Sequence, residues 1–512
     1  MEGIRPLVAP GSYFPSCAAR ASVRALLVAF IAAIVVGCVT PGDAGDDGEG
    51  DEAPGLAGYT RVCDIARVNA TWTEPCLALA SPNDSPSKTE IDLAVNPVDP
   101  DNVVTASKDI DPLASECVWS VAQTSMDGGH TWTTSYVGET TAERQPTDKM
   151  FGWMCVTDPI MAFDADGTLY YSLQAYDHSI EGSDVLPPLN EVVGTLGSSI
   201  VAARSTDGGL TWDKYVTLHL GDGANVFHDY MRVLVNPATG TYHTIWNQFT
   251  GAAGVVPVLV SWDGSSEAAL PPTYLPTPEP VSATSGTMAG FAAANDGTIY
   301  VLIENGQDGW FTSSTDDGRT FAEPVKVDAF THSGIERQAL GDEAFRTTGS
   351  YELVVDNSGG ERDGWIYGTI IDCPESLDCD VHVTHSEDGG ATWSERVLVN
   401  DGPHKPGLQW IPRPFVDRLG GLHMVYFDNS RQGGTMLDAT WAVSTDGGMT
   451  WDNTYLTTTP FDGNLGIHQD GFAFIGDYNG IGGAGDHVFM SFPTTITGRA
   501  EIAVAKVRLP HA

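Results

Sequence analysis

The chain has 512 residues, of which 67 are acidic and 25 are basic, and its formal net charge is −42. A surface this negative repels other polyanions, so nucleic acids and anionic lipid surfaces are excluded as partners. An anionic ligand is expected to bind only where a local group of arginines overcomes this background field.

The N-terminal segment is typical of an export signal. Two arginines precede an apolar run at residues 25–36, which is shorter than the roughly 20 residues that span a bilayer. The tetrapeptide Val-Val-Gly-Cys that ends at Cys38 resembles a bacterial lipobox, in which cleavage leaves a lipidated cysteine at the N-terminus. We therefore predict a lipoprotein signal peptide at residues 1–37 and a location at the bacterial cell envelope, with the lipid on Cys38 as the only membrane contact. An ordinary signal peptide that contains a cysteine is the alternative.

Residues 38–58 form a segment rich in acidic residues, glycine, alanine and proline. Such a composition has too little apolar surface to form a core, so we predict a disordered tether. The remaining residues, 59–512, are expected to form one domain.

Six cysteines remain once Cys17 and Cys38 are set aside. Export implies an oxidising compartment, in which an even number of cysteines is typical of disulfides. Proximity in sequence suggests the pairs Cys63–Cys76, Cys117–Cys155 and Cys373–Cys379, although six cysteines allow fifteen pairings. The chain contains no Cys-x-x-Cys motif, which argues against a redox or zinc site.

A short turn with the pattern Ser-x-Asp-x-Gly-x-Thr, followed by Trp or Phe, occurs five times. The copies begin at Ser125, Ser205, Ser314, Ser386 and Ser444. The aspartate can accept hydrogen bonds from the turn N–H groups, glycine adopts positive φ without steric cost, and the aromatic ring anchors the turn against a sheet. Each copy is therefore predicted to connect two strands of a repeated unit.

This turn is the Asp-box, or BNR repeat, and through it the chain resembles the β-propellers of the sialidase-like superfamily, as a bacterial lipoprotein member. The same box occurs in sortilin-type receptors, fucose-binding lectins, xyloglucanases and photosystem assembly factors. The resemblance thus implies an architecture and leaves the chemistry open.

The number of blades follows from the spacing of the boxes and of the strands before them. The longest interval contains Ser261-Trp-Asp-Gly-Ser-Ser266, which we interpret as a degenerate sixth box. Apolar inner strands followed by a polar turn occur at seven places, which are near Ile91, Pro159, Arg232, Phe291, Tyr351, Arg413 and Asp477. The sequence therefore predicts an all-β, seven-bladed propeller of four-stranded antiparallel blades, with six blades as the alternative.

Blade seven lacks a fourth strand at the C-terminal end of the chain. A propeller must close to protect its strand edges, so we predict that residues 60–68 or 76–80 supply this strand. Two long inserts, residues 176–197 and 326–348, are expected to form the rim of a functional site.

Two columns of residues lie near the starts of the aligned inner strands. The first column is Asp92, Ile160, Arg232, Gly290, Glu352, Arg413 and Asn479. The second, two residues earlier and on the same strand face, is Glu90, Asp158, Tyr230, Met288, Ser350, Ile411 and Asp477. Together they offer paired carboxylates, a tyrosine and two arginines, which are the groups that a glycosidase uses.

The resemblance to sialidases extends to the order of these candidates. Sialidases hold the sugar carboxylate with three arginines and use a tyrosine nucleophile backed by a glutamate, with an aspartate as acid/base. The second half of this chain has a similar order, namely Glu336 or Glu352, Arg337 or Arg346, Arg413 and Tyr478. The family's early Phe/Tyr-Arg-Ile-Pro motif is absent, and the first inner strand begins Lys88-Thr-Glu-Ile-Asp92. The clamp therefore lacks its first arginine unless Arg232 replaces it.

The resemblance implies an exported surface lipoprotein that binds extracellular glycans and is a candidate exo-glycosidase. Its catalytic residues would be Asp158 as acid/base, Tyr478 or Tyr230 as nucleophile and Glu352 or Glu336 as the supporting carboxylate. Its substrate-binding residues would be Arg232, Arg337, Arg413 and Asp477. The expected partner is a glycan or a cell-surface protein, and the protein is expected to be a monomer.

The alternative is a non-catalytic binding or assembly scaffold. Arg232 and Arg413 would then form salt bridges between blades, with Asp158 or Asp477 as partners. Structural Ca²⁺ is the one cofactor that this composition suggests, and its candidate ligands are Glu90, Asp92, Asp158 and Asp477.

Geometry distinguishes the two hypotheses. Convergence of two arginines with a tyrosine and a glutamate in one pocket would favour an enzyme. A channel mouth filled by Met288, Phe291 and Ile411 would favour a scaffold.

Overall fold

Seven antiparallel sheets follow one another along the chain and form the blades of a β-propeller. In this computed structural model the first strands of consecutive blades contact each other, and the first strand of blade seven contacts that of blade one, so the ring is closed. The structure describes residues 52–53, 55–66, 72–81, 87–110, 119–137, 155–176, 198–221, 226–250, 254–278, 287–332, 338–340, 343–345, 351–375, 378–400, 407–469 and 472–510. The predicted seven-bladed, four-stranded architecture is confirmed, and the six-bladed alternative is excluded.

The first three blades each contain four consecutive strands, which run in order from the inner strand outward. Blade one comprises Ser87–Val95, Val103–Ile110, Trp119–Ser125 and Thr133–Tyr136. Blade two comprises Cys155–Phe163, Leu169–Tyr176, Ser198–Ser205 and Lys214–Leu220. Blade three comprises Phe227–Val235, Tyr242–Phe249, Val255–Trp262 and Thr273–Tyr274. Their middle strands are buried on both faces, because each blade packs between two neighbours.

Blades four to six repeat this arrangement. Blade four comprises Thr287–Ala293, Ile299–Asn305, Asp308–Ser314 and Val325–Val327, followed by a 3₁₀ turn at Asp328–Phe330. Blade five comprises Tyr351–Val355, Ile366–Glu375, Asp378–Ser386 and Val397–Leu398. Blade six comprises Gln409–Val416, Leu422–Asp428, Met436–Ser444 and Asp452–Tyr455, and Phe461–Asp462 adds to its third strand before a 3₁₀ turn at Gly463–Leu465.

Blade seven joins the two ends of the folded chain. Gly480–Ala484, His487–Thr494 and Glu501–Arg508 form its first three strands. Thr60–Val62 and Leu77–Leu79 both pair with the third of these, Thr60–Val62 opposite residues 506–508 and Leu77–Leu79 opposite residues 503–505. The predicted closure by an N-terminal strand is confirmed, and both candidate segments contribute to it.

Two further contacts hold the closing strands in place. A disulfide between Cys63 and Cys76 links the end of the first closing strand to the start of the second. The hydroxyl of Tyr59 donates a 2.5 Å hydrogen bond to Oδ2 of Asp417 in blade six, and the ring of His423 lies 2.9 Å from the same carboxylate oxygen. The N-terminal segment is thereby bound to two blades.

The folded domain begins earlier than residue 59. Glu52–Ala53 form a short strand that pairs with the first closing strand, and Glu52 makes an ion pair with Arg508. Residues 49–512 make up one compact unit. The end of the predicted tether is therefore ordered by strand pairing, whereas its first part lies outside the described residues.

The five Asp-boxes connect the third and fourth strands of blades one, two, four, five and six. In each box the serine hydroxyl donates to the aspartate, and the aspartate accepts from the N–H of the threonine and, at 2.6 Å, from its hydroxyl. Burial raises the pKa of most of these carboxyl groups, but the hydrogen bonds hold the pKa of all five below the usual aspartate value.

The degenerate box in blade three is also a turn between the third and fourth strands. Oδ1 of Asp263 accepts hydrogen bonds from the N–H groups of Ser265 and Ser266 at 2.8 and 2.7 Å. These bonds lower the pKa of Asp263 to about 2. The aspartate therefore still caps the turn, although Ser261 is hydrogen-bonded to His243 at 2.8 Å and Glu267 stands where the complete box has its threonine.

The boxes and the inner-strand columns lie at opposite ends of the blades. Third strands run parallel to inner strands, so each box lies where an inner strand ends, while the connections between blades run across the end where inner strands begin. We call this second end the upper face. There the connections after blades four and six form a further four-stranded sheet, the bridging sheet, made of Gln338–Leu340, Glu343–Phe345, Ile467–Gln469 and Phe472–Phe474.

Part of the insert at residues 326–348, predicted to form a site rim, thus lies in the bridging sheet. Almost all of the other insert, at residues 176–197, lies outside the described residues. The predicted disulfide Cys373–Cys379 is confirmed at the upper end of blade five. Cys155 is also disulfide-bonded, but its predicted partner Cys117 lies outside the described residues.

No helix in the described part of the chain has the length and apolarity that a membrane crossing requires.

Candidate functional site

The inner strand of blade four has a register shift between Met288 and Gly290, and four other inner strands carry a bulge at one shared position on the upper face. Each bulge shifts the register between the first and second strands of its blade. It contains one non-glycine residue with a left-handed backbone, namely Glu90 (φ 54°), Asp158 (φ 52°), Tyr230 (φ 53°) and Ile411 (φ 54°). Such a backbone costs about 1–3 kcal/mol per residue and is concentrated at functional sites. The second sequence column therefore corresponds to a repeated, strained local structure.

Glu352 lies between two arginines that come from other blades. Nη2 of Arg232 donates to Oε1 of Glu352 at 2.5 Å, and Nη1 of Arg413 lies 2.9 Å from the same oxygen. Nη2 of Arg413 also lies 3.8 Å from Oδ1 of Asp92 in blade one. The salt bridges between blades that were expected for these arginines do form, but their partners are Glu352 and Asp92, whereas Asp158 faces a lysine.

The two arginines differ in their exposure to solvent. The side chain of Arg232 is 3% exposed and that of Arg413 is 20% exposed. Arg232 also donates to the hydroxyl of Tyr230 at 2.8 Å and to the carbonyl of Met231 at 3.0 Å. Arg413 is therefore the arginine that an incoming ligand can reach, and Arg232 holds the others in place.

The carboxyl groups of Glu90 in blade one and Asp158 in blade two both lie within 4 Å of one lysine ammonium group. Nζ of Lys108 lies 3.2 Å from Oε2 of Glu90 and 3.9 Å from Oδ1 of Asp158. Burial raises the pKa of Glu90 well above its usual value, and the charge of Asp158 adds to this effect. Burial also acts on Asp158, but the charge of Lys108 and the hydrogen bond from the hydroxyl of Thr157 hold the pKa of Asp158 below its usual value.

The candidate nucleophile Tyr230 contacts the arginine group. The guanidinium carbon of Arg232 lies 4.3 Å from the centre of its ring, in a cation–π contact. Burial raises the pKa of Tyr230, although the charge of Arg232 opposes this effect. The tyrosine is thus joined to Glu352 through Arg232, and its phenol is protonated.

The other candidate nucleophile, Tyr478, lies on the acidic side of the ring. Its hydroxyl donates to the carbonyl of Pro159 at 3.2 Å. Burial raises its pKa well above the usual tyrosine value, and the carboxylates of Glu90, Asp158 and Asp92 act in the same direction. Because these neighbours oppose ionisation, Tyr230 is the better placed of the two tyrosines.

Other members of the columns connect the blades. Oδ2 of Asp92 accepts a hydrogen bond from the N–H of Met161 in blade two at 2.8 Å, and Nδ2 of Asn479 donates to the carbonyl of Ile411 at 3.0 Å. Burial raises the pKa of Asp92 despite the opposing charge of Arg413. Asp477 is 8% exposed, and its charge contributes to the raised pKa of Glu90.

The apolar residues considered as a channel plug belong to the core between blades. Met288 and Phe291 pack in one hydrophobic cluster with Ile245 and Leu259 of blade three. Ile411 belongs to a different cluster. Their burial therefore reflects blade packing, and the polar residues of the columns line the upper end of the ring.

Three predicted site positions lie outside the described residues. These are Glu336, Arg337 and Ser350, and the alternative Arg346 lies outside them as well. Glu352 is therefore the supporting carboxylate that the structure places beside the arginines.

Lys108 is the site residue that sequence reasoning missed. It lies on the second strand of blade one, directly opposite Thr89, and is 4% exposed. On the same pair of strands, Nζ of Lys88 lies 2.6 Å from Oδ2 of Asp109. The sequence signal was a lysine in the middle of a strand of an acid-rich chain, opposite the first inner strand.

The carboxylates considered as calcium ligands are held by basic side chains and by each other. Among the described residues, no group of three or more His, Cys, Asp or Glu side chains is arranged to hold a metal ion. Lys108 faces Glu90 and Asp158, and Arg413 faces Asp92. These carboxylates therefore have basic partners within the protein itself.

No family model matches the chain, and no curated protein matches it in sequence. Solved structures with a similar fold include the Hadza microbial sialidase Hz136, with 15% identity and a TM-score of 0.48 over 73% of this chain and 71% of that one. A protein of unknown function from Dyadobacter fermentans has 12% identity and a TM-score of 0.42, over 85% of this chain and 98% of that one. The NanB sialidase from Streptococcus pneumoniae has 10% identity and a TM-score of 0.45, over 68% and 66%. The chain is a seven-bladed β-propeller of four-stranded antiparallel blades, and its similarity to these solved structures is distant.

Proposed function

We propose that the protein binds extracellular glycans at its upper face and hydrolyses a terminal sugar there. The observation that carries this proposal is the convergence of Arg232 and Arg413 on Glu352, with Tyr230 bonded to Arg232. The guanidinium of Arg413, the more exposed of the two, offers N–H donors in fixed directions to sugar hydroxyls. The carboxyl pair on the other side of the ring adds an acid and a base.

Each candidate has a role that its surroundings support. Arg413, the more exposed arginine, contacts the substrate, and Glu352 fixes the direction of both guanidinium groups. Tyr230 is the candidate nucleophile, because it is half-buried and its hydroxyl is hydrogen-bonded to Arg232. Asp158 is the candidate acid/base, because glycoside hydrolysis commonly uses two carboxyl groups, one of which protonates the leaving oxygen.

The charges favour a neutral sugar over a sialic acid. Both arginines already face Glu352, so the carboxylate of a sialoside would have to compete with a buried protein carboxylate. The net charge of −42 also opposes the approach of an anion. We therefore propose that an uncharged exo-glycosidic substrate binds, with a sialoside as the comparison.

The experiment is a screen of residues 49–512 on a panel of aryl glycosides that includes a sialoside. We expect release of the aryl group from at least one uncharged glycoside. Asp158→Asn should lower kcat on that substrate by about 10²–10⁴-fold, because this is the usual contribution of a general acid. Arg413→Gln should raise KM. The matched control is Arg418→Gln, since Arg418 is exposed, pairs with Asp486 and lies at the opposite end of the blades.

Absence of turnover on every glycoside would contradict the hydrolytic part of the proposal, and absence of glycan binding as well would contradict the whole. The second candidate function is a non-catalytic binding or assembly scaffold. One observation favours it: Arg232, Arg413 and Lys108 all face carboxylates of the protein itself. Binding of a glycan without turnover would support this scaffold.

We further propose that the protein is exported and anchored by lipid on Cys38. Two disulfides support an oxidising compartment, as does the apolar run that precedes the cysteine. Mass spectrometry of the mature protein tests this proposal. A diacylglycerol-modified Cys38 at the N-terminus is expected, and an unmodified mature N-terminus downstream of this cysteine would refute it.

A further inference from the structure

The carboxyl pair of Glu90 and Asp158 is held in a place where two negative charges are unfavourable. Glu90 is 3% exposed and Asp158 is 7% exposed. Nζ of Lys108 lies within 4 Å of both carboxyl groups. It supplies a single positive charge, which can balance only one carboxylate in this buried place. Two buried carboxylates that share a site do not both ionise near neutral pH.

The surroundings decide which group carries the proton. Asp158 also accepts a 2.8 Å hydrogen bond from the hydroxyl of Thr157, which stabilises its ionised form. Glu90 feels the negative charges of both Asp158 and Asp477. Lys108 supplies one positive charge near both groups, which balances one carboxylate. The neutral partner is therefore Glu90 and the ionised partner is Asp158.

The backbone conformation of Glu90 and Asp158 holds both residues at this position. Glu90 and Asp158 occupy the same position in neighbouring blades, and both are held in the left-handed region. Among the described residues, six that are not glycine have positive φ, and four of these six lie in this one column. Strain that recurs at a single structural position is a sign of function.

We propose that Glu90 and Asp158 share a single proton at neutral pH, that Glu90 carries it, and that Glu90 is a positioning residue which delivers it through Asp158 to the leaving group of the glycoside. Only the delivery step rests on the function proposed above. The shared proton is a property of the folded protein and does not depend on any substrate.

In the delivery step the glycosidic C–O bond breaks, its electron pair stays on the leaving oxygen, and the oxygen of Tyr230 forms a bond to the sugar carbon while its proton passes to Glu352. Glu90 passes its proton to Asp158, and Asp158 passes it on to the leaving oxygen, so the pair is then ionised beside Lys108. Water then attacks the sugar carbon and displaces Tyr230, which recovers its proton from Glu352. The water gives one of its protons back to the pair and leaves the other on the released sugar.

Infrared spectroscopy of the folded protein at pH 7 tests the shared proton directly. The wild type is expected to show the C=O band of a protonated carboxyl group that is lost in Glu90→Gln. Asp158→Asn should lose the same band, because Glu90 then ionises opposite Lys108. Glu361→Gln is the matched control, since Glu361 is exposed, and it should leave the band unchanged.

Three results would overturn the proposal: a protonated-carboxyl band that is unchanged in Glu90→Gln, a band that persists in Asp158→Asn, or a Glu90→Gln protein that does not fold. The last counts because a neutral side chain of the same size should replace a protonated glutamate without loss. A band in a protein that turns over no glycoside would remove the delivery step and leave the shared proton. Turnover without the band would remove both the shared proton and its delivery, and would leave the proposed hydrolytic function.

The pH dependence of stability gives a second measurement with a definite sign. The pKa of Glu90 is raised in the folded state, so folding binds a proton and the contribution of Glu90 to stability falls as pH rises above about 4.3. The urea midpoint of the wild type, relative to that of Glu90→Gln, should therefore fall with rising pH. A constant difference would contradict the proposal. The charged and titratable groups that face the pair are Lys108, Asp229, Asp477, Tyr176 and Tyr478.

Discussion

A chain that begins at residue 81, and so lacks both closing strands, is expected not to form a soluble folded propeller. Without them, the strand Glu501–Arg508 becomes an open edge with unpaired N–H and C=O groups, which invites aggregation. The lost residues also include Trp72, Leu77 and Leu79, which are at most 4% exposed. Burial of such a side chain is worth about 1.5–3 kcal/mol, so their joint loss approaches the 5–15 kcal/mol that holds a domain together.

The comparison that tests this expectation uses residues 49–512 and residues 81–512 side by side. The longer chain should give one cooperative thermal transition in circular dichroism, and the shorter one should give inclusion bodies or no transition. A graded variant is Cys63→Ser with Cys76→Ser, which removes the disulfide but keeps both strands. Cross-links of this loop length are worth about 2–4 kcal/mol, so this variant should fold with a lower Tm. Equal Tm values for the two chains would show that closure is not needed for stability.

The closure illustrates what the sequence can predict. The five boxes and the inner strands are local patterns, and each requires only a turn and a short strand, so counting them is enough to predict seven blades. The missing fourth strand of blade seven then follows from the need to satisfy strand edges. The use of both residues 60–62 and residues 77–79 could not be predicted, because either segment alone satisfies that need.

The sequence predicted which inner-strand residues lie at the site, but it did not predict which of their side chains contact each other. The two columns placed Arg232, Glu352 and Arg413 at the same level, because residues at equivalent positions in a propeller surround one channel. Their contacts depend on side-chain reach across the ring, which no periodicity encodes. Lys108 comes from a second strand, outside the columns. The left-handed backbone at Glu90 was also not predictable, since glutamate rarely adopts it.

Glu352→Ala is expected to be the most destabilising single substitution at the site. It removes the carboxylate that two arginines share, and it leaves the guanidinium of Arg232, which is 3% exposed, without its charged partner. Breaking a buried pair from one side typically costs about 3–5 kcal/mol, because the remaining charge stays buried and uncompensated. The free energy of unfolding from urea denaturation should fall by this amount.

Further variants of Glu352 and Arg232 separate the effect of the lost charge on stability from the effect of the lost side-chain packing. Glu352→Gln keeps the size of the side chain and one acceptor oxygen, so its loss should be smaller than that of Glu352→Ala. A double variant, Arg232→Met with Glu352→Leu, removes both charges and should recover part of the stability, since a buried pair is replaced well by apolar groups of similar volume. The control is Glu267→Ala, because Glu267 pairs with Lys214 at the surface and its side chain is 94% exposed, so the urea midpoint should not move. If Glu352→Ala behaved like Glu267→Ala, the bridge from Arg232 to Arg413 across the ring would not be a structural element, and both arginines would be free to bind a ligand.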